Sequence, residues 1–336
     1  MNTKSGLAIV LCGLLVFSAC GDDDSNSDAP ATNNSINNDS GNNDPGNNDP
    51  GNNDPGNNDP GNNDPGNNDP APLTIAEIAS ADENFSTLVA AADAAGLVPT
   101  LSDANAELTV FAPTNDAFEA LFEATGLTAE ELLADTDLLT AVLTYHAVPG
   151  TVNAATVVGL DRATTVNGAD VFIKVVGESV FINNALVTTA DIEASNGMIH
   201  VIDAVILPPV GETVVDIAVG DEDFSTLVGA VTDGGLVETL SSAGPFTVFA
   251  PINAAFDALD EVPTGDALVD VLTYHVLPEA RYSRTLTNGE ELVTVNGESA
   301  TITLDGGAFI DGIEIIATDI PAGNGVIHVI DGILLP

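Results

Sequence analysis

The chain repeats itself, and the repeat constrains its fold more than any other feature. Phe85–Leu101, FSTLVAAADAAGLVPTL, returns as Phe224–Leu240, FSTLVGAVTDGGLVETL. Thr109–Phe118, TVFAPTNDAF, returns as Thr247–Phe256, TVFAPINAAF, with 8 of 10 positions identical. VLTYHAVP (Val142–Pro149) and GMIHVIDAVILP (Gly197–Pro208) return as VLTYHVLP (Val271–Pro278) and GVIHVIDGILLP (Gly325–Pro336). A period of roughly 130 residues is the signature of a duplicated domain, not of a solenoid. Two domains follow, 71–209 and 210–336. Hydrophobic residues make up 44% of the chain and aromatics only 4%, with no Trp, so the cores of both are mostly aliphatic.

Within each copy the apolar period changes midway. Phe85, Leu88, Val89 and Ala92 fall at helical spacing, and Gly96 suits a helix end. TVFAP reads as a short buried strand stopped by Pro113. A helix then starts at TNDAFEALF, with Thr114 or Asn115 as its cap. In the second copy Ile252 replaces Thr114, which makes Asn253 the better cap candidate. TDLLTAVLTYH reads as another amphipathic helix. The rest of each copy is rich in β-branched residues, punctuated by Asn-Gly turns at Asn167, Asn196, Asn288, Asn296 and Asn324. Helices first and strands after predict an α+β fold, not alternating βαβ units.

Before the repeats, residues 1–20 read as a secretory signal. Lys4 precedes the apolar run Gly6–Phe17, which is too short to span a bilayer. The run ends in Phe17-Ser18-Ala19-Cys20, which resembles a bacterial lipobox with Cys20 as the acylated residue. An acyl chain at Cys20 anchors the chain to a membrane without crossing it. Gly21 after that cysteine resembles lipoproteins of an outer membrane, so the expected location is the bacterial cell envelope. Residues 21–70 contain six copies of Gly-Asn-Asn-Asp-Pro and almost nothing that can be buried. They read as a disordered acidic tether. With 51 acidic against 5 basic residues the formal charge is −46, which excludes a nucleic-acid footprint.

The chemistry-bearing residues are few. Four histidines, His146, His200, His275 and His328, stand two per copy at matching positions. In IHVID, His200 and Asp203 fall on opposite faces of a strand, as do His328 and Asp331. No further His or Cys supplies the third ligand that zinc needs, so no metal is expected. Neither a strained nucleophile turn nor a phosphate-binding loop occurs, and the chain reads as neither an enzyme nor a cofactor carrier. A buried imidazole must engage both ring nitrogens. The first box and the Tyr-His pair occur together in both copies, so His146 is expected to latch onto Asn115, and His275 onto Asn253.

The three duplicated boxes together resemble the fasciclin (FAS1) domain: Thr109–Phe118 and Thr247–Phe256 its first box, Tyr145-His146 and Tyr274-His275 its central motif, Gly197–Pro208 and Gly325–Pro336 its second. The resemblance covers both copies, in order. It implies an α+β domain of twisted β-sheets packed against a helical cluster, in secreted or membrane-anchored proteins that act in adhesion and matrix contacts, usually in tandem, with no general enzymatic activity. It also makes Tyr145, His146, Tyr274 and His275 candidate contact residues for an extracellular protein or polysaccharide. The alternative is a structural envelope protein or small-ligand carrier without an adhesion partner.

Overall fold

The computed structural model describes residues 72–211, 213–259 and 261–336. Cys20 and the tether at 21–70 lie outside the described residues. The first copy opens with helix α1 (Ile75–Ala81), which the sequence pattern had not marked. Thr74 and Glu77 form a capping box at its start. Helix α2 (Ser86–Ala94) buries Leu88, Ala91 and Ala92. Gly96 takes a left-handed conformation just past its end, at φ +67°. A short helix α3 (Val98–Leu101) leads to strand β1 (Leu108–Pro113). Helices α4 (Asn115–Thr125), α5 (Ala129–Ala134) and α6 (Thr136–Tyr145) follow.

The strand-rich half comprises β2 (Ala147–Pro149), a turn of helix α7 (Ala154–Val157), β3 (Arg162–Thr164), β4 (Asp170–Val176), β5 (Ser179–Ile182), β6 (Ala185–Ala194) and β7 (Gly197–Ile202). Their order in the sheet is β2-β1-β7-β6-β5-β4-β3. The second copy repeats the plan with helices α8 (Val214–Gly220), α9 (Ser225–Asp233), α10 (Val237–Leu240), α11 (Asn253–Asp257) and α12 (Asp266–Tyr274). Its strands are β8 (Phe246–Pro251), β9 (Val276–Leu277), β10 (Glu291–Val293), β11 (Ser299–Thr303), β12 (Phe309–Ile310), β13 (Ile313–Ala322) and β14 (Gly325–Ile330), ordered β10-β11-β12-β13-β14-β8-β9. The fold is α+β, two domains each with a twisted sheet and helices.

One cap expectation is corrected. Thr114 caps α4 by accepting from the Ala117 amide. In the second copy Ile252 holds the cap position without a side-chain bond, and Asn253 is already the first helical residue. Asn253 cannot cap its own helix because its amide is bonded elsewhere, as described below. Helix α11 runs only 5 residues where α4 runs 11. The final run is also less strand-like than its composition. Pairing stops at Ile202 and Ile330, and the buried Ile206 and Leu334 continue outside the ladder.

Among the described residues, β1 and β7 pair in parallel, as do β8 and β14, and every other pairing is antiparallel. Such a parallel pair is buried on both faces and reads as a continuous apolar run. Alternate residues of β1 and β7 accordingly enter two cores. Val110, Ala112, Ile199 and Val201 pack with the helices. Phe111 and Ile202 pack on the other face with Tyr145, Val171, Ile173 and Ile182. The second copy splits its core the same way.

Gly197 and Gly325 begin the later strand of each parallel pair, at φ +155° and +158°. A Cβ at Gly197 would run into the Leu108 carbonyl, and one at Gly325 into the Phe246 carbonyl. Both carbonyls belong to backbone locked in the ladder and cannot move aside. Gly197→Ala is therefore expected to destabilise the first domain by about 3 kcal/mol or more, since strain and a backbone clash combine. Gly96→Ala, left-handed but in open space, should cost only about 1–2 kcal/mol. Urea unfolding of the two variants measures the gap, and equal losses would contradict the close approach.

Candidate functional site

The Tyr-His pairs lie where a helix runs into the sheet, and both are buried. Relative exposure is 1% for Tyr145 and His146, 5% for Tyr274 and 3% for His275. None of the four can meet a partner without the domain opening, which corrects their expected role as contact residues. The reason is packing. α6 places Tyr145 against the second core, where its hydroxyl donates to the Asp170 carbonyl at 2.8 Å and accepts from Asn183 Nδ2 at 2.9 Å. The Tyr274 hydroxyl differs in that it only donates: Asp311 Oδ2 accepts at 2.6 Å, with the Ser299 carbonyl a second acceptor at 3.1 Å. Asn183 and Asp311 sit in left-handed hairpin positions, at φ 53° and 48°. Burial pushes both tyrosine hydroxyls well above their ordinary pKa.

His146 uses both ring nitrogens, but on backbone groups and not on Asn115. Its Nδ1 lies 2.8 Å from the Val142 carbonyl, and its Nε2 accepts from the Ile206 amide at 3.1 Å. His275 makes the same bonds to Val271, at 2.8 Å, and to Leu334, at 3.0 Å. An imidazole nitrogen facing an amide N–H must be unprotonated, so Nδ1 carries the proton in both rings. Each ring joins the last turn of a helix to the chain segment leaving the last strand. That segment has no strand neighbour there, which is why it needs a side-chain acceptor.

His200 and His328 form a second matched pair with the opposite tautomer. Nδ1 of His200 accepts from the Asp191 amide at 3.2 Å, and Nε2 donates to the Val152 carbonyl at 2.9 Å. His328 accepts from Asp319 at 3.3 Å and donates to the Arg281 carbonyl at 2.7 Å. Asp191 and Asp319 are left-handed residues at register shifts in β6 and β13. These β-bulges turn an amide inward to the ring. Among the described residues no group of three His, Cys, Asp or Glu side chains could hold a metal ion.

Asn115 and Asn253 do a different job from the one expected. Helix α2 begins after Phe85, which offers no capping oxygen. Asn115 supplies it from 28 residues away: Oδ1 accepts the Thr87 amide at 3.0 Å, while Nδ2 donates to the Glu83 carbonyl at 2.9 Å. Asn253 caps α9 in the same way through Thr226 and Glu222, at 2.9 and 2.8 Å. Two further asparagines, read from sequence only as turn residues, are buried ties. Asn196 Oδ1 accepts the Ile75 amide, and its Nδ2 donates to the Leu101 and Asp103 carbonyls. Asn324 repeats this with Val214, Leu240 and Ser242. Each asparagine therefore fixes the first and third helices of its copy to the start of its last strand.

The site that sequence reasoning missed is the junction between the copies. All four basic side chains among the described residues lie at or beside it. Arg284 donates to both oxygens of Asp203 at 2.7 Å, reaches the Asn184 carbonyl at 3.1 Å and lies over the Phe181 ring. Lys174 pairs with Glu279 at 2.5 Å, and Arg162 donates to the Ala243 carbonyl at 3.2 Å. Arg281, buried, is held by both oxygens of Glu290 at 2.7 Å. Phe172 of the first copy packs with Tyr282 and Val326 of the second. A sequence signal for this existed: in so acidic a chain, each of the rare cations had to find a defined place.

Burial lowers the pKa of His146 and His275 from the ordinary histidine value to about 4, with their carbonyl bonds pulling weakly the other way. The unfolded chain then binds protons that the folded chain refuses. Stability from these two rings is complete above about pH 6.5 and is lost as pH falls toward 4, at about 1.4 kcal/mol per pH unit and histidine. His146→Gln is expected to remove one proton's worth of slope from urea unfolding free energies measured between pH 6.5 and 5. An unchanged slope would show that the ring titrates normally. Nitrogen-15 NMR should find the Nδ1–H tautomer at His146 and His275 and the Nε2–H tautomer at His200 and His328.

Comparison with known proteins agrees with this geometry. The fasciclin domain matches residues 83–208 and again 222–336. Protein sll1483 of Synechocystis is 51% identical over 136 residues, covering 37% of this chain and 73% of that one. A second Synechocystis protein, sll1735, is 41% identical over 128 residues, covering 36% and 96%. Human periostin is 33% identical over 163 residues, 46% of this chain but only 19% of its own length. The matched segments contain every buried tie described above except the two made to Ile75 and Val214, so this chain belongs to the fasciclin domain family, as a tandem pair.

Proposed function

We propose that this chain is a lipid-anchored, non-catalytic adhesion or matrix-binding module of the bacterial cell envelope. Family membership supports a binding role, and the chemistry of the described residues runs the same way. Every histidine has both ring nitrogens engaged in the interior, so none offers a base to a substrate. One observation carries the reading: three of four described cations bridge the two domains. The pair is thereby presented as one unit, with its acidic surface left to face a partner. The partner is an extracellular protein or polysaccharide carrying positive charge at its contact surface, because like charges repel across an interface. Acyl chains at Cys20 hold the protein to the outer membrane, and residues 21–70 carry the domains away from it.

Two measurements test the two halves of the reading. Cys20→Ala should move the protein from the membrane fraction to the soluble fraction. Retention in membranes would remove the anchor from the proposal. Adhesion of cells displaying the chain to an immobilised matrix should fall severalfold between low salt and about 0.5 M NaCl, where charges more than a few ångströms apart are screened. Adhesion that ignores both salt and deletion of the chain would contradict a binding role.

A further inference from the structure

The two domains differ where they are otherwise matched: the first is hollow. Its helices α1, α2 and α3 stand off the sheet around a cleft of about 640 Å³. The equivalent space in the second domain, under α8, α9 and α10, is about 140 Å³. Three side chains that line both account for part of the difference. Ala76, Ala92 and Ala147 in the first domain are answered by Val215, Val231 and Val276 in the second. Part of the remaining lining is shared, with Leu88, Val110, Leu143 and Ile199 matched by Leu227, Val248, Leu272 and Ile327, while Phe85, Leu97 and Leu108 line only the first cleft. The first volume is in the range of small-molecule sites, roughly 300–1,000 Å³, and the second is below it.

The chemistry of the cleft selects its occupant. The wall is mostly aliphatic, with Phe85 its one aromatic ring other than His146. Of its hydroxyls, those of Ser80, Ser86 and Thr144 already donate to the Ala76 carbonyl, Asn115 Oδ1 and the Thr140 carbonyl, with Thr100 the fourth, and His146 has both ring nitrogens bonded to backbone. A ligand therefore meets apolar surface and is offered no strong polar partner inside. Asp82, Glu83 and Asp93 stand among the lining, and none of the four described cations does. An anionic headgroup is repelled there, and a carboxylate or phosphate would find no counter-ion. We infer that the first domain binds an uncharged apolar small molecule between helices α1–α3 and the sheet, and that the second domain does not. This goes beyond the adhesion reading and does not depend on it, because the cleft and the domain junction share no residue.

The test uses the full chain carrying Cys20→Ser, so that no acyl chain competes for the probe. N-phenyl-1-naphthylamine, uncharged and apolar, should bind with saturable fluorescence at one probe per chain. The anionic analogue anilinonaphthalene sulfonate should bind at least tenfold more weakly. Refilling the cleft to match the second domain, with Ala76→Val, Ala92→Val and Ala147→Val together, should weaken the uncharged probe at least tenfold while the circular dichroism spectrum is kept. If the triple variant does not fold, Ala92→Val alone should weaken binding at least threefold. Absence of saturable binding overturns the inference, as does binding that the folded variant leaves unchanged. Equal affinity for the anionic probe overturns the choice of ligand charge. Failure of cell adhesion would leave all of these outcomes untouched.

Discussion

The parallel pairing of the first and last strands closes each domain, and the rest of the fold depends on it. β1 precedes most of the helices and β7 ends the sheet, yet the two run side by side from Leu108 and Gly197 to Pro113 and Ile202. Loop-closure entropy opposes so distant a contact, and several local devices support it. Gly197 and Gly325 have no Cβ, so the backbones can approach where each pairing starts. Phe111 and His200 are partners across the pair and their rings stack at 5.9 Å, as do Phe249 and His328 at 5.5 Å. Thr109 donates to the Gly150 carbonyl and accepts from the Val152 amide, bonding the chain beyond β2 to the closing pair. Thr247 does so again with Glu279 and Arg281.

The buried polar residues then act as ties from that pair outward. Asn196 reaches the start of α1 and the end of α3, His146 reaches the chain after β7, and the bulged Asp191 reaches His200. All use side chains to satisfy backbone groups that neither helix nor sheet can satisfy, which is the condition for burying such groups at all. This explains why the polar residues recur between the copies while many apolar ones vary. A Val can replace an Ala in a core with local adjustment. An imidazole that accepts one amide and donates to one carbonyl has few substitutes.

Much of this architecture was legible in the sequence, and the limits have physical causes. Duplication, the order of helices and strands, β1, α2 and α6 follow from periodicity, which is a local property. The role of Asn115 was not legible, because the helix it caps begins 29 residues earlier, at Ser86, and the position before that helix holds Phe85. Burial of Tyr145 depends on a hairpin residue, Asn183, whose left-handed backbone places an amide at the hydroxyl. A Tyr next to a His suggests an exposed polar site only if the partners of both are unknown. Helix α1 is not legible because its 7 residues carry too short a pattern to separate from a loop, despite the capping box at Thr74.

Duplication also lets the two copies diverge in use while keeping the same ties. The second domain supplies Arg284 and Glu279 to the junction and has a filled interior. The first supplies Asp203 and Lys174 to the junction and keeps an open cleft. In a chain with a charge of −46, self-repulsion opposes any close contact between two acidic domains. Cations placed where the domains meet relieve the repulsion locally, whereas the same charges scattered over the surface would leave the junction acidic. Arg284 meets Asp203 through two parallel bonds, the geometry in which a guanidinium fixes orientation as well as distance. The tandem arrangement is therefore a product of charge placement as much as of apolar packing, and the hollow first domain and filled second domain are held in one unit by the same few side chains.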